Sequence, residues 1–453
     1  MLREEELKWY QRAKLKNLLE GDANTKFYHF VANGKHRETR IFQLLDGEVI
    51  ISGDQALKKH ISSYYKGLFG PPESSEVTLD ESITNDIPQV SQLENEFLVD
   101  QFSETEVRNA VFQMNHNKAP GPDGFPPEFY QVFWETIMDD LMALFREFHN
   151  GFLPLHCLNF GTIILLPKQN DAMRIQQYRP ICLLNVSFKI STKVATNRIS
   201  SIAQKIIRQT QTAFIPGRNI MEGAVILHET IHELLTKKLD GIILKIDFEK
   251  AYDKVKWSFV QQTLHMKGFS EKWCRWVDHF IQGGNVNLKV NDQLGRYFRS
   301  RKGLRQGDPL SPILLNIVVD MLAILIARAK DDGQVEGVIP HLIENRLSIL
   351  QYADDTILFL SHDLAKATNL KLLLCLFEQL SGLMINLHKS EIFCFGKANE
   401  HEAEYSQLFG CDVGKFPFHY LGLPMHYRKL SNSDWKTIEQ RIEKKQVVGK
   451  PKC

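Results

Sequence analysis

The 453-residue sequence has almost no net charge: 55 Lys and Arg against 54 Asp and Glu leave +1. Overall charge therefore gives no sign of a polyanionic partner. Cysteine is sparse and unpatterned, with seven residues at 157, 182, 274, 375, 394, 411 and 453. No two form a CxxC pair and no histidines stand near them at zinc-site spacing. A disulfide framework and a zinc module are excluded, and the thiols read as small buried hydrophobes of a reducing compartment. No apolar core follows Met1-Leu2-Arg3-Glu4-Glu5-Glu6, so a secretory signal is not expected. The most apolar run, Ile313 to Ala327, is broken by Asn316 and Asp320 and is too short to cross a bilayer. It reads as a buried helix. Internal repeats and low-complexity tracts are lacking as well. These absences predict an intracellular protein, nuclear or cytoplasmic, neither secreted nor membrane-spanning.

What is present is unevenly distributed. Between Gly161 and Arg218 stand nine basic residues (Lys168, Arg174, Arg179, Lys189, Lys193, Arg198, Lys205, Arg208 and Arg218) and one acid, Asp171. A block of that kind can neutralise several phosphates, each adding salt-dependent affinity. Between Pro71 and Ala110 the balance reverses, with ten acids and one base, Arg108. Residues 1–70 carry helical signals, and Gly70-Pro71-Pro72 with the acidic stretch behind it reads as a linker. Ser103-Glu104-Thr105-Glu106 caps a helix with Val107, Ala110, Val111 and Met114 on one stripe. Ile163 to Leu166 and Gly241 to Ile246 are short apolar strands. Asn285 to Val290 and Leu294 to Ser300 form a hairpin around Asn291-Asp292, and Ser311-Pro312 opens a helix with the serine as cap. Ile349 to Tyr352 and Thr356 to Leu360 are a further strand pair. Strands separated by long helices, with hairpins between them, indicate an α+β architecture.

Tyr352-Ala353-Asp354-Asp355 is the sharpest local feature. Two adjacent carboxylates at a tight turn between apolar strands concentrate negative charge where an outside cation is needed. Hard oxygen ligands suit magnesium, which keeps some waters and takes up substrate phosphate. A lone Asp-Asp is more often a plain hairpin tip, so a third carboxylate is required. Asp247 supplies it, at the end of a strand too apolar to be exposed, where an unpaired acid is costly. Two metal ions among such groups fit phosphoryl transfer to a hydroxyl.

These segments and the loop Gly303-Leu304-Arg305-Gln306-Gly307-Asp308-Pro309-Leu310 occur in the order found in reverse transcriptases. Residues Lys118 to about Phe395 resemble the polymerase domain of non-LTR (LINE-type) retrotransposons, the plant branch in particular. The resemblance is carried by Lys118-Ala-Pro-Gly-Pro-Asp-Gly124, Tyr178-Arg-Pro-Ile-Cys-Leu-Leu184, Gln211-Thr-Ala-Phe-Ile215 and Ser381-Gly-Leu-Met-Ile-Asn386. Residues 8–45, with Glu20 to Phe27, are similar to the segment joining endonuclease to polymerase in those elements.

The resemblance implies a right-hand polymerase of fingers, palm and thumb that copies an RNA template from a DNA primer with deoxynucleoside triphosphates and two Mg2+ ions. It names no protein partner. Asp247 and Asp354 become the direct metal ligands, Asp355 a supporting carboxylate and the Phe248 carbonyl a further oxygen ligand. Tyr252 would exclude a ribose 2′ hydroxyl, and Lys168 and Arg179 would grip the triphosphate. Gln306 and Gly307 would lie over the nucleotide, and Lys389 would be the acid for the pyrophosphate leaving group. Phe418 to Pro424 resembles the primer-grip hairpin, and Lys118 to Gly124 would pack against template backbone.

The expected divisions are 1–70, a helical N-terminal extension; 71–102, an acidic linker; 103–395, fingers and palm; and 396–453, the primer-grip region and a truncated thumb. The family's endonuclease and cysteine-histidine knuckle have no counterpart in the sequence, and Val447 to Cys453 reads as a truncation. The competing expectation is a catalytically impaired, RNA-binding remnant.

Overall fold

The computed structural model describes residues 40–73, 77–169, 171–339, 347–426, 428 and 431–447. The connector motif Glu20–Phe27 and residues 448–453 lie outside them.

The palm is a five-stranded sheet ordered Ile349–Tyr352, Asp355–Ser361, Gly241–Ile246, Glu391–Phe395, Asp412–Val413. The first four strands are antiparallel and the last is parallel to its neighbour. Its central strand reads as a continuous apolar run because both faces are covered. Successive side chains of a strand point to opposite faces. Ile242, Leu244 and Ile246 enter the main core, while Ile243 joins Ile357, Phe359, Phe393 and Phe395 in a second core beneath the helix Ile220–Thr236. Lys245, the one polar residue of the strand, pairs with Glu391 of the adjoining strand at 3.3 Å.

The fingers sheet is ordered Tyr178–Leu184, Phe160–Pro167, Asn285–Val290, Gln293–Leu294, with Phe298–Arg299 also on Asn285–Val290. Asn291 and Asp292 take left-handed φ of 46° and 66° at the turn, the geometry of a tight hairpin. A third core joins the helices Glu104–Gln113, Pro127–Val132 and Trp134–His149 to the helix Val186–Ile206.

The helix Ser311–Asp331 is almost wholly buried. Its length and apolarity would let it cross a membrane, but it is mostly packed inside the protein. The two polar residues that interrupt it have partners. Asn316 Nδ2 donates to Ala213 O. Asp320 takes Lys267 Nζ at 2.7 Å and the Arg208 backbone N–H at 2.9 Å. Leu310, not Ser311, is the cap residue, and Asp308 accepts the Leu310 N–H at 3.0 Å.

Three expected divisions differ from the structure. Within the extension expected to be helical, Gln43–Asp46 and Val49–Ser52 form a hairpin before the helix Asp54–Leu68, because Asp46-Gly47 is itself a turn signal. The acidic stretch is docked where it is described: Ser91 and Glu94 build a capping box on Gln92–Leu98, Glu94 pairs with Lys205 at 2.6 Å, and Asp86 takes Arg328 in a two-pronged pair. The palm also continues past residue 395, since Asp412–Val413 is one of its strands.

Candidate active site

The register that sets Thr356 opposite Ile246 brings the hairpin tip Ala353-Asp354 and the strand end at Asp247 to the same edge of the palm sheet. Segment 384–390 braces Asp247 from the other side. Asn386 N donates to Asp247 O at 2.7 Å, and Met384–Ile385 pairs with Phe248–Glu249. The Phe248 ring is buried against Phe377, so only its backbone is offered to the site.

Across from these carboxylates, the fingers hairpin sets Arg179 opposite Leu166 and carries Lys168 just beyond its paired residues. The two faces enclose an open cleft of about 1200 Å³ lined by Lys168, Arg179, Asp247, Phe248, Tyr252, Gln306, Asp354, Asp355 and Lys389. Nine of the ten site residues expected from sequence thus share one cavity. Gly307 is the exception. With φ at 114°, its backbone lies against the fingers strand, where a Cβ would stand 2.6 Å from Cys182 O. It fastens the 303–307 loop to that strand, as does the bond from Cys182 N to Gln306 O at 2.8 Å. On its other side the loop holds the palm: Gly303 N donates to Val255 O at 2.8 Å, and Gln306 Nε2 donates to Asp253 Oδ1 at 3.3 Å.

The three aspartates act on one another through space. Burial first, and then the charges of Asp354 and Asp247, push Asp355 up to about 6. Burial and Asp247 also raise Asp354, against Lys389 and Arg179. Lys389 Nζ donates to Asp247 Oδ2 at 3.2 Å. Burial and the charge of Asp354 push the Tyr252 phenol upward, and both residues line the cleft. Among the described residues no three His, Cys, Asp or Glu are grouped so that they could hold a metal ion by themselves. Mutually repelling hard oxygens with open positions are nevertheless the donor set that suits a divalent ion sharing its shell with water and phosphate.

Two cleft residues were not foreseen from the sequence. Asp253 is fully buried, pushed up to about 7 by that burial against the opposing charge of Lys250 and the Gln306 bond. Phe214 is 57% exposed at φ 55°, with its ring 6.3 Å from that of Tyr352. A bulky residue in left-handed backbone is uncommon and is held there by its surroundings.

One member of the basic block, Arg198, is buried, while Lys168, Arg174, Arg179 and Lys205 are exposed and the other four are half-buried. Arg198 is 3% exposed and bonds both Glu106 carboxylate oxygens and the carbonyls of Leu98, Asp100 and Gln101. Arg218 donates to the carbonyls of Gln204, Ile207, Arg208 and Gln211. Lys205 and Arg208 hold the acidic segment. Of the nine basic residues, Lys168 and Arg179 line the cleft. Lys118 to Gly124 packs against the end of the fingers strand, where a Cβ on Gly121 would meet the backbone of Leu184 and Asn185 at 2.4 Å.

Comparison with known proteins agrees with this arrangement. The chain is 28% identical over 352 residues to the transposon TX1 uncharacterized 149 kDa protein of Xenopus laevis, covering 77% of this chain and 26% of that protein. It is 28% identical over 241 residues to the retrovirus-related Pol polyprotein from the type-1 retrotransposable element R2 of Nasonia vitripennis, covering 53% of this chain and 22% of that one. The R2DM polyprotein of Drosophila melanogaster matches at 27% over 243 residues, 54% of this chain and 22% of the relative. The chain therefore spans about a quarter of the length of these relatives. The family model described as reverse transcriptase (RNA-dependent DNA polymerase) matches residues 166–425, more than half of the sequence and the stretch that supplies every residue of the cleft described above. The chain belongs to the reverse transcriptase family, among those of non-LTR retrotransposons.

Proposed function

We propose that this chain is an RNA-directed DNA polymerase that extends a DNA primer on an RNA template. The observation that carries the reading is a single cleft with three mutually repelling aspartates on one wall and a lysine-arginine pair on the other. A nucleoside triphosphate needs both: cationic donors for its phosphate oxygens, and a negative site for the divalent ions that accompany it. Asp247 and Asp354, with Asp355 in support and the Phe248 carbonyl as a further oxygen, would hold two Mg2+ ions. Such ions, when bound, lower the pKa of the attacking hydroxyl and neutralise charge on the transferred phosphoryl group.

The protein's own groups do the remaining work. Lys168, a point charge, and Arg179, a planar fork, bind the triphosphate. Tyr252 presents a half-buried ring to the cleft it shares with Asp354 and excludes a ribose 2′ hydroxyl. Gln306, fixed by Asp253, supports the nucleotide from the loop above it. Lys389 stands close enough to the carboxylates to donate a proton to departing pyrophosphate. Phe214 and Tyr352 offer aromatic surface to the end of the template-primer duplex. The reading as a non-catalytic RNA-binding remnant is not favoured, because the cleft keeps its three carboxylates together with the lysine-arginine pair opposite them.

The test is extension of a DNA oligonucleotide annealed to RNA. Incorporation of dTTP opposite rA should require Mg2+ and be lost with chelator. Template binding without incorporation above a chelated control would contradict the proposal.

A further inference from the structure

We infer that Gln211 is a positioning residue for the turn carrying Asp354, and that it acts by holding Ala353 in left-handed backbone. The inference rests on the nucleotidyl-transfer reading of the cleft. Ala353 directly precedes Asp354, and its φ is 54°. A residue with a Cβ disfavours that region, so contacts from outside the turn must hold it there. Gln211 is fully buried and satisfies both backbone groups of Ala353. Its Oε1 accepts from Ala353 N at 2.8 Å, and its Nε2 donates to Ala353 O at 3.2 Å. One side chain thus supplies the donor and the acceptor that a hairpin tip ordinarily finds in water.

Gln211 is itself fixed. Gln351 N donates to Thr210 O at 2.8 Å and Thr212 N donates to Gln351 O at 3.0 Å, so residues 210–212 run alongside the strand that leads into the turn. Its carbonyl takes Arg218 Nη1 at 2.6 Å, and its Oε1 also accepts from Ala213 N at 3.1 Å. Asn316 and Asp320, on the buried helix Ser311–Asp331, grip Ala213 O and Arg208 N on either side. A continuous bracket therefore runs from the buried helix Ser311–Asp331 to the residue before Asp354. The backbone of Ala353 sets where the next side chain points, and a turn that relaxes to ordinary φ swings the Asp354 carboxylate away from Asp247.

The test compares Gln211→Met, which keeps the side-chain volume and loses both bonds, with Gln211→Met/Ala353→Gly and Asp354→Asn. Glycine takes left-handed backbone without steric cost, so it removes the need for the bracket. The readouts are kcat, the KM values for dTTP and for an RNA-DNA template-primer, and amide exchange of the peptide spanning 350–356. Gln211→Met should lower kcat by about 10- to 100-fold, the scale of a catalytic group displaced by an ångström, with the template-primer KM unchanged. Exchange at the turn should quicken, and adding Ala353→Gly should restore most of the lost kcat. If Gln211→Met does not fold, Gln211→Glu, which keeps the acceptor and loses the donor, is judged by the same rescue. Wild-type kcat in Gln211→Met beside an inactive Asp354→Asn overturns this inference and leaves the site reading standing. A kcat loss that Ala353→Gly does not restore also overturns it. Wild-type kcat in Asp354→Asn overturns both.

Discussion

At the scale of single residues, the cleft separates groups that bind from groups that select. Tyr252 is assigned to selection, so replacing its ring should cost little speed with deoxynucleotides while admitting ribonucleotides. Tyr252→Ala is expected to reduce the preference for dUTP over UTP, which differ only in the 2′ hydroxyl, by up to about a hundredfold in kcat/KM ratios, the range a pocket achieves against one added hydroxyl. An unchanged ratio would place the ring in the palm core instead. Phe214→Ala, by contrast, should raise the KM for template-primer roughly tenfold with kcat nearly constant, since a base stacked on an aromatic is worth about 1–3 kcal/mol. A fall in kcat alone would contradict the duplex contact. Asp247 and Asp354 were legible in the sequence because each is an acid on an apolar strand or at its turn. Phe214 and the left-handed backbone of Ala353 were not legible. The unusual φ of Phe214 and Ala353 leaves no glycine as a marker, whereas the glycine at 307 did mark a close backbone approach, made here to Cys182.

At the scale of elements, periodicity located the palm strands and the long helices, and turn chemistry located the hairpin at Asn291-Asp292. The same chemistry was present at Asp46-Gly47, between the apolar runs 41–45 and 49–51, but the helical signals of residues 1–70 taken as a whole masked it. Charge patterning misled most. Arg198 is counted with the basic block in the sequence, yet it lies inside, tying the helix Val186–Ile206 to Glu106 and to three carbonyls at the close of the acidic segment. Removing it leaves a carboxylate and those carbonyls without their partner. Arg198→Met is accordingly expected to lower unfolding free energy by about 3–5 kcal/mol, read from urea denaturation; a change under about 1 kcal/mol would show the pair to be dispensable. The acidic segment should also respond to pH. Bonds from Lys205 and from the Ser91 backbone hold Glu94 down to about 2, below its ordinary 4.5. A carboxylate depressed by folding contributes stability that is complete above its ordinary value and is lost as pH falls from there toward 2. Amide protection in Gln92–Leu98 should therefore decline across that window, and earlier in Lys205→Met. Protection that is flat with pH would contradict the latch.

At the scale of the whole molecule, two sheets built by different parts of the chain meet across one cleft, and the 303–307 loop is bonded to both. Its glycines explain how: Gly303 sits on Asp253 of the palm and Gly307 on Cys182 of the fingers, and in each place a Cβ would collide with backbone. Long-range placement of this kind leaves only a motif in the sequence, whose order could be matched but whose partners could not be deduced. Two ion pairs, Arg198 with Glu106 and Lys205 with Glu94, tie the basic block to the acidic segment. The central claim is that Asp247 and Asp354 together form the centre of nucleotidyl transfer. Single-turnover incorporation of dTTP on an RNA template, with Mg2+ and bound template-primer held saturating, tests it directly. Asp247→Asn and Asp354→Asn, each folded and still binding template-primer, should both lose about 10²-fold or more in rate. Incorporation at the wild-type rate by either variant would contradict it.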